Sequence, residues 1–322
     1  MKEKVSPGRK TGSTIVKNLI VLLAVVVAAF SGIYSWFTES KVFADGINIK
    51  CEKPEGISLA VVPHNAEAPK DSDYTTEDNP TINLNEREFV KNLNLTDVTS
   101  NGTEGSFYKQ PATVSGNNYW TKADVNSDYL SFDLYFRSIE NYNISICEDS
   151  YLRPQSNVDT VIMNKNSQPF KDCIAGASRI SILDENSTEQ RLLWIPAPNI
   201  WYDRENNKIY TNIESSTEIS GKNIGELTRK HEFYDGKANS TQATTYNSPN
   251  LVASVKDSDS GKYIIGENKL ITSLGNYKQT FNGISYYVNH VTVNMWIEGT
   301  DAESHKDLLG GKFDLFLKFS VG

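Results

Sequence analysis

The sequence predicts an all-β sandwich carried behind an N-terminal apolar leader, and three observations lead there. Short runs that alternate apolar with polar residues recur along the 322-residue chain, with no long stripe of helical period. Clusters of Asn, Ser, Thr, Asp and Gly punctuate those runs, as turns require. A strongly apolar stretch near the N-terminus follows a basic flank, the mark of an export signal.

The leader comes first. Lys2, Lys4, Arg9, Lys10 and Lys17 precede an apolar run at residues 19–30, and Ser31, Gly32, Ile33, Tyr34, Ser35, Trp36 and Phe37 extend it. From Leu19 through Phe37 a helix just spans the ~30 Å hydrocarbon core of a membrane. For cutting before Asp45, Ala44 offers a small residue at the last position with Val42 two before it, a late approximation to the small-x-small pattern. Two outcomes stand open, a cleaved signal peptide and a retained anchor. In both, positive charge holds the N-terminus inside and the bulk of the chain lies outside. The expected organisation is thus a basic flank and leader over 1–44 and one extracellular β-sandwich domain over 45–322.

Strands follow in chain order. Short strands are predicted at 47–51 and 57–62, and residues 129–137 alternate most clearly, with Leu130, Phe132, Leu134 and Phe136 on one face. Ser131, Asp133, Tyr135 and Arg137 take the other face, so a half-buried strand is expected. Shorter strands are predicted at 143–147, 160–163, 179–183, 192–195, 208–212, 263–265 and 284–288. Val291, Val293, Met295 and Ile297 mark another, and residues 313–321 the last. Helix is expected only in the leader, around 86–92 and at 223–230; residues 71–80 and 237–250 read as exposed loops.

Charge and chemistry narrow the function. With 40 Asp and Glu against 32 Lys and Arg, the net charge is −8, and no basic cluster suits a nucleic acid. His64, His231, His290 and His305 are scattered and make no zinc motif. No nucleophile elbow, Cys-x-x-Cys or phosphate-cradling loop appears, so neither a catalytic site nor a cofactor is expected. Glu298, Asp301, Glu303 and Asp307 form a weak oxygen-ligand candidate for Ca²⁺ without the EF-hand spacing. Trp201 and Tyr202 offer a sugar-stacking patch, whereas Trp194 reads as core. Of three cysteines, Cys147 and Cys173 are the preferred disulfide pair in an oxidising exterior, with Cys51 left over; no disulfide at all is the alternative.

The junction after the leader carries a resemblance. Residues 31–40 and 42–50, with Tyr34, Trp36, Phe37 and Gly46 at their marked places, resemble the start of the TasA/camelysin-type exported biofilm-matrix proteins of Gram-positive bacteria. Residues 313–321 look like the closing strand of that family's domain. The resemblance implies a jelly-roll-like sandwich, removal of the leader by a signal peptidase, and fibres in which the N-terminal strand is donated to a neighbour. Here Gly46, Ile47 and Ile49 would form the donor strand, because an alternating terminus recruits a partner through main-chain hydrogen bonds. The expected function is a non-enzymatic cell-surface or matrix protein that associates with itself or its surroundings and meets the membrane through its leader. The alternatives are a metal-dependent peptidase of camelysin type and a carbohydrate-binding surface adhesin.

Overall fold

A computed structural model describes residues 42–52, 56–75, 80–91, 93–109, 121–155, 171–184, 189–203, 208–210, 218–219, 222–223, 232–233, 244–246, 250–275, 277–299 and 311–322. The leader at 19–37, the strand expected at 160–163 and Asp301, Glu303 and Asp307 lie outside them. No helix among the described residues is long and apolar enough to cross a membrane.

In chain order the strands are β1 (Val42–Glu52), β2 (Ile57–Pro63), β3 (Thr81–Asn83), β4 (Asp97–Val98), β5 (Tyr108–Lys109), β6 (Thr121–Lys122), β7 (Leu130–Ser138) and β8 (Asn143–Ile146). Next come β9 (Tyr151–Gln155), β10 (Ser178–Asp184), β11 (Glu189–Ile195), β12 (Trp201–Asp203), β13 (Lys208–Tyr210), β14 (Glu218–Ile219), β15 (Lys222–Asn223) and β16 (Glu232–Phe233). The last are β17 (Thr244–Thr245), β18 (Leu251–Ala253), β19 (Val255–Asp257), β20 (Lys262–Ile264), β21 (Lys269–Ser273), β22 (Lys278–Phe281), β23 (Ile284–Glu298) and β24 (Gly311–Val321). Among the described residues two short helices, α1 (Glu88–Lys91) and α2 (Lys171–Ala177), accompany them.

Sixteen of these strands build two eight-stranded sheets, and the other eight pair off as β5-β6, β12-β13, β14-β15 and β16-β17. Sheet A runs β19-β20-β9-β24-β1-β3, with β8 on β24 and β21 on β8; sheet B runs β18-β11-β10-β23-β7-β2, with β22 and β4 also on β23. One apolar cluster takes residues from both, including Ile47, Leu315 and Phe319 from sheet A and Phe132, Phe136 and Val293 from sheet B. Phe136 and Phe319 meet edge to face across it, ring centroids 5.5 Å apart. The architecture is β-rich and sandwich-like, as alternation predicted. Residues 251–257 join the sheets at their margin: β18 pairs with sheet B, β19 with sheet A, and Ser254 between them takes a hydrogen bond from Trp194 Nε1 (2.7 Å).

Several elements differ from expectation. The strands expected at 284–288 and 291–297 are one strand, β23, fifteen residues long. It follows a two-residue turn at Asn282 and Gly283, whose φ values of 49° and 82° suit the twist of a tight hairpin. Asn223, where the helix expected at 223–230 would begin, lies instead in strand β15. The helix expected at 86–92 is reduced to α1 and a preceding 3-10 turn, Leu84–Glu86. Tyr74, in a segment read as an exposed loop, is buried. The largest correction concerns β7, which is buried on both faces rather than one.

That second face is roofed. Outward from sheet B, Ser131 donates to Asn294 Oδ1 (2.7 Å), Asn294 reaches Ser181 (3.3 Å), and Ser181 donates to the Gly102 carbonyl (2.8 Å). Residues 97–109 thus lie over the sheet, and a second apolar cluster of Val98, Phe107, Leu193, Ile195, Tyr246 and Trp296 seals the contact. Gly102 has φ of 81° and no room for a Cβ, which would sit 3.2 Å from the Trp296 ring and 2.8 Å from Gln190 Nε2.

Candidate assembly site: the first strand and its groove

The alternation of β1 sends Ile47, Ile49 and Cys51 into the core, where each is essentially fully buried. Each apolar side chain so placed stabilises the docked strand by about 1.5–3 kcal/mol. β1 lies parallel to β24, with Ile47 opposite Leu315, Ile49 opposite Leu317 and Cys51 opposite Phe319. Its other edge pairs antiparallel with β3 from Asn48 to Lys50. Beyond that pairing, the Cys51 N–H donates to the Pro80 carbonyl (3.2 Å) and the Ile47 N–H to Asn85 Oδ1 (3.3 Å). The groove holding β1 is therefore made by the last strand of the chain on one side and residues 80–85 on the other.

Near its start β1 carries a bulge, the register shifting between Ala44 and Gly46. Gly46 there lies against Asp314; a Cβ would stand 3.2 Å from Asp314 Oδ1. Asp314 is itself clamped, accepting from Arg153 Nε (2.9 Å) and a second guanidinium nitrogen, and from Gln155 Nε2 (2.7 Å). This clamp on the wet face of sheet A fixes where the first strand enters.

Several outer margins of the two sheets are poor templates for another chain. β3, β18 and β19 have three residues each. On β2 the margin is covered at Leu59, whose N–H donates to Thr75 Oγ1 (2.9 Å) and whose carbonyl accepts from the Thr75 N–H (2.8 Å). Pro63 ends β2 without an N–H to offer.

The other predicted residues are placed as follows. Ala44 and Asp45 fall inside β1, which opens at Val42, ahead of the boundary drawn from sequence. Among the described residues no disulfide joins Cys147 to Cys173. Cys173 sits in the core cluster on α2, whereas Cys147 follows the inward-facing Ile146, so alternation turns it from that core. Trp201 and Tyr202, being consecutive in β12, face opposite ways: Tyr202 is buried and Trp201 half-buried with Tyr210 as its cross-strand partner. The two rings share no face.

Glu298 is fully buried, and its Oε2 accepts from Trp296 Nε1 (3.0 Å) and the Ser100 N–H (3.3 Å). The Tyr246 hydroxyl lies between the same oxygen (2.9 Å) and the Ser100 carbonyl. These donors make the carboxylate a fastening for the roof. No group of three metal-ligating side chains occurs among the described residues.

The sequence reading missed a polar group at the lower margin of the roof. His64 Nδ1 donates to Asp133 Oδ1 (2.8 Å), and the Thr292 hydroxyl donates to the same oxygen (2.6 Å). His64 Nε2 faces Glu104 at 3.8 Å. Thr292 lies on the Nδ1 side (3.4 Å), the nitrogen already given to Asp133, so the trio is not arranged as a nucleophile, base and orienting acid.

No family model, curated protein or solved structure matches this chain.

Proposed function

We propose that this is a non-enzymatic cell-surface or matrix protein, a jelly-roll-like sandwich exported behind residues 19–37, that assembles by exchanging β1 between copies of itself. One observation carries the reading: β1, the first strand among the described residues, fills the core with Ile47, Ile49 and Cys51, and removal of a leader over 1–44 would leave it attached to the domain at its C-terminal end alone. A strand so placed re-forms the same contacts in a second copy's groove, exchanging like for like. The short margins at β3, β18 and β19 and the cover over Leu59 of β2 favour exchange over edge addition at those strands.

A reversible lock tests it. Asn48 and Phe316 are cross-strand neighbours in the β1–β24 pair and point away from the core. An N48C/F316C chain, oxidised as a monomer, holds β1 in place by a disulfide. Sedimentation under assembly conditions should show monomer while oxidised and oligomers on reduction, with wild type assembling throughout. Assembly of the oxidised chain, or strictly monomeric wild type, would overturn the reading.

A further inference from the structure

We propose that cutting between Ala44 and Asp45 and docking of the first strand exclude one another, and that the cut loosens the strand it creates. The proposal rests on the reading of residues 1–44 as an export leader. The β1–β24 ladder does not begin at the new terminus: Val42 lies opposite Gly311, Phe43 opposite Lys312 and Ala44 opposite Phe313, before the register shifts and seven more pairs run from Gly46 to Glu52. The pattern a signal peptidase reads, Val42 and Ala44, thus belongs to the first three rungs. Ala44 is also packed against the core.

A peptidase takes its substrate extended through its own cleft, so this bond is cut only while those rungs are undone. Residues 42–44 cannot lie in the ladder and in the enzyme together. Processing therefore precedes docking of β1, or waits on its opening. A chain that folds first keeps its leader and its anchor.

The cut also changes the fold it leaves behind. It removes three of the ten paired positions of the β1–β24 ladder. Those three lie beyond the reach of β3, which pairs only with residues 48–50. The uncut chain holds β1 along its whole length. The processed chain holds it by the Gly46–Glu52 part alone, so the strand leaves its groove more often.

Full-length chain tests both halves. Presented to signal peptidase during synthesis into membranes, it should be cut; folded first in detergent and then presented, it should resist, and mild denaturant should restore cutting. Equal cutting of folded and nascent chain overturns the exclusion. Failure to cut the nascent chain overturns the leader reading and the proposal with it.

Loosening is read on Cys51, which is buried inside β1, by maleimide labelling of the purified processed and uncut forms with peptide mapping. Cys51 should label about tenfold faster in the processed form, the worth of one or two net backbone hydrogen bonds, while Cys147 and Cys173 keep their rates. Equal Cys51 rates, or acceleration of all three, overturn it. Faster Cys51 labelling in a chain that stays monomeric on sedimentation supports the proposal and rejects strand exchange, so the two fail separately.

Discussion

Sheet A and sheet B share one core but treat their outer faces in opposite ways. In β24 the pattern is strict, with Phe313, Leu315, Leu317 and Phe319 buried and Asp314, Phe316, Lys318 and Ser320 half-exposed between them. In β7 and β10, and in β23 from Val288 onward, nearly every residue is buried, polar ones included. The difference teaches that outward residues such as Ser131, Asp133 and Asn294 are not a solvated face but the hydrogen-bonding floor of a second layer. Residues 97–109 roof one end, and Tyr74 with the β22–β23 hairpin closes the other around Arg137. The Arg137 guanidinium lies 4.0 Å from the Tyr74 ring centroid and 4.7 Å from that of Tyr286, and donates to Asp71 (2.6 Å).

The strongest way to break this comparison is to remove one aromatic side chain from each outer face. Trp296 on sheet B is fully buried against Phe107, centroids 5.3 Å apart. W296A should cost about 3–5 kcal/mol, the range for a large buried aromatic. Phe316 on sheet A is half-buried and stacks on Tyr151 at 5.3 Å, so F316A should cost about 1 kcal/mol or less, the worth of a cross-strand pair. Chemical denaturation of both variants measures the gap. Equal losses would show that the roof does not bury Trp296 in solution.

A smaller effect comes from alkali. Burial holds the Tyr74 hydroxyl well above the ordinary phenol range, against the opposing pull of Arg137. On the wet face, Tyr151 is also raised by burial, again opposed by Arg153, but it is far less enclosed. The sign follows from linkage. The folded state keeps a proton that the unfolded chain gives up above about pH 10, so stability is whole below that pH and declines above it. For the enclosed Tyr74 the loss is at most about 1.4 kcal/mol per pH unit beyond 10. Denaturation of Y74F and Y151F at pH 7 and pH 11 should therefore show a clearly shallower alkaline decline for Y74F and little change for Y151F. A Y74F chain that declines like wild type would mean that the phenol is solvated.

How far the sequence shows this divides along the same line. The inward rows of β1, β7, β23 and β24 were legible because a period of two needs no knowledge of partners. The roof was not, because Ser131 and Asp133 look the same facing water as facing a buried amide or imidazole, and residues 97–109 have no periodicity. β9 was missed because Pro154 interrupts it; in the fold Pro154 stands opposite Phe313. Gly46, Ile47 and Ile49 were legible as a strand, but the partners that define its groove come from Ile82, Asn85 and the far end of the chain, which alternation does not connect. Glu298 read as part of an acidic turn, since nothing local shows that Ser100 and Tyr246 converge on it.

The smallest effect sharpens the comparison at the one crowded point described on the wet face. Gly46 does not adopt a positive φ, so space rather than backbone strain decides what replaces it. A methyl group there meets Asp314 Oδ1 at 3.2 Å, and Asp314 has little freedom to yield while Arg153 and Gln155 hold it. Against that stands a gain of about 0.4–1 kcal/mol from restricting the unfolded chain. G46A should therefore be near neutral or lose up to about 1 kcal/mol with Asp314 present, and turn stabilising by a few tenths in a D314A background. The two single variants and the double variant, compared by denaturation, give the coupling directly. If the cost of G46A were unchanged in D314A, the crowding would lie in the bulge itself, and the clamp on Asp314 would have no part in setting where β1 enters the sheet.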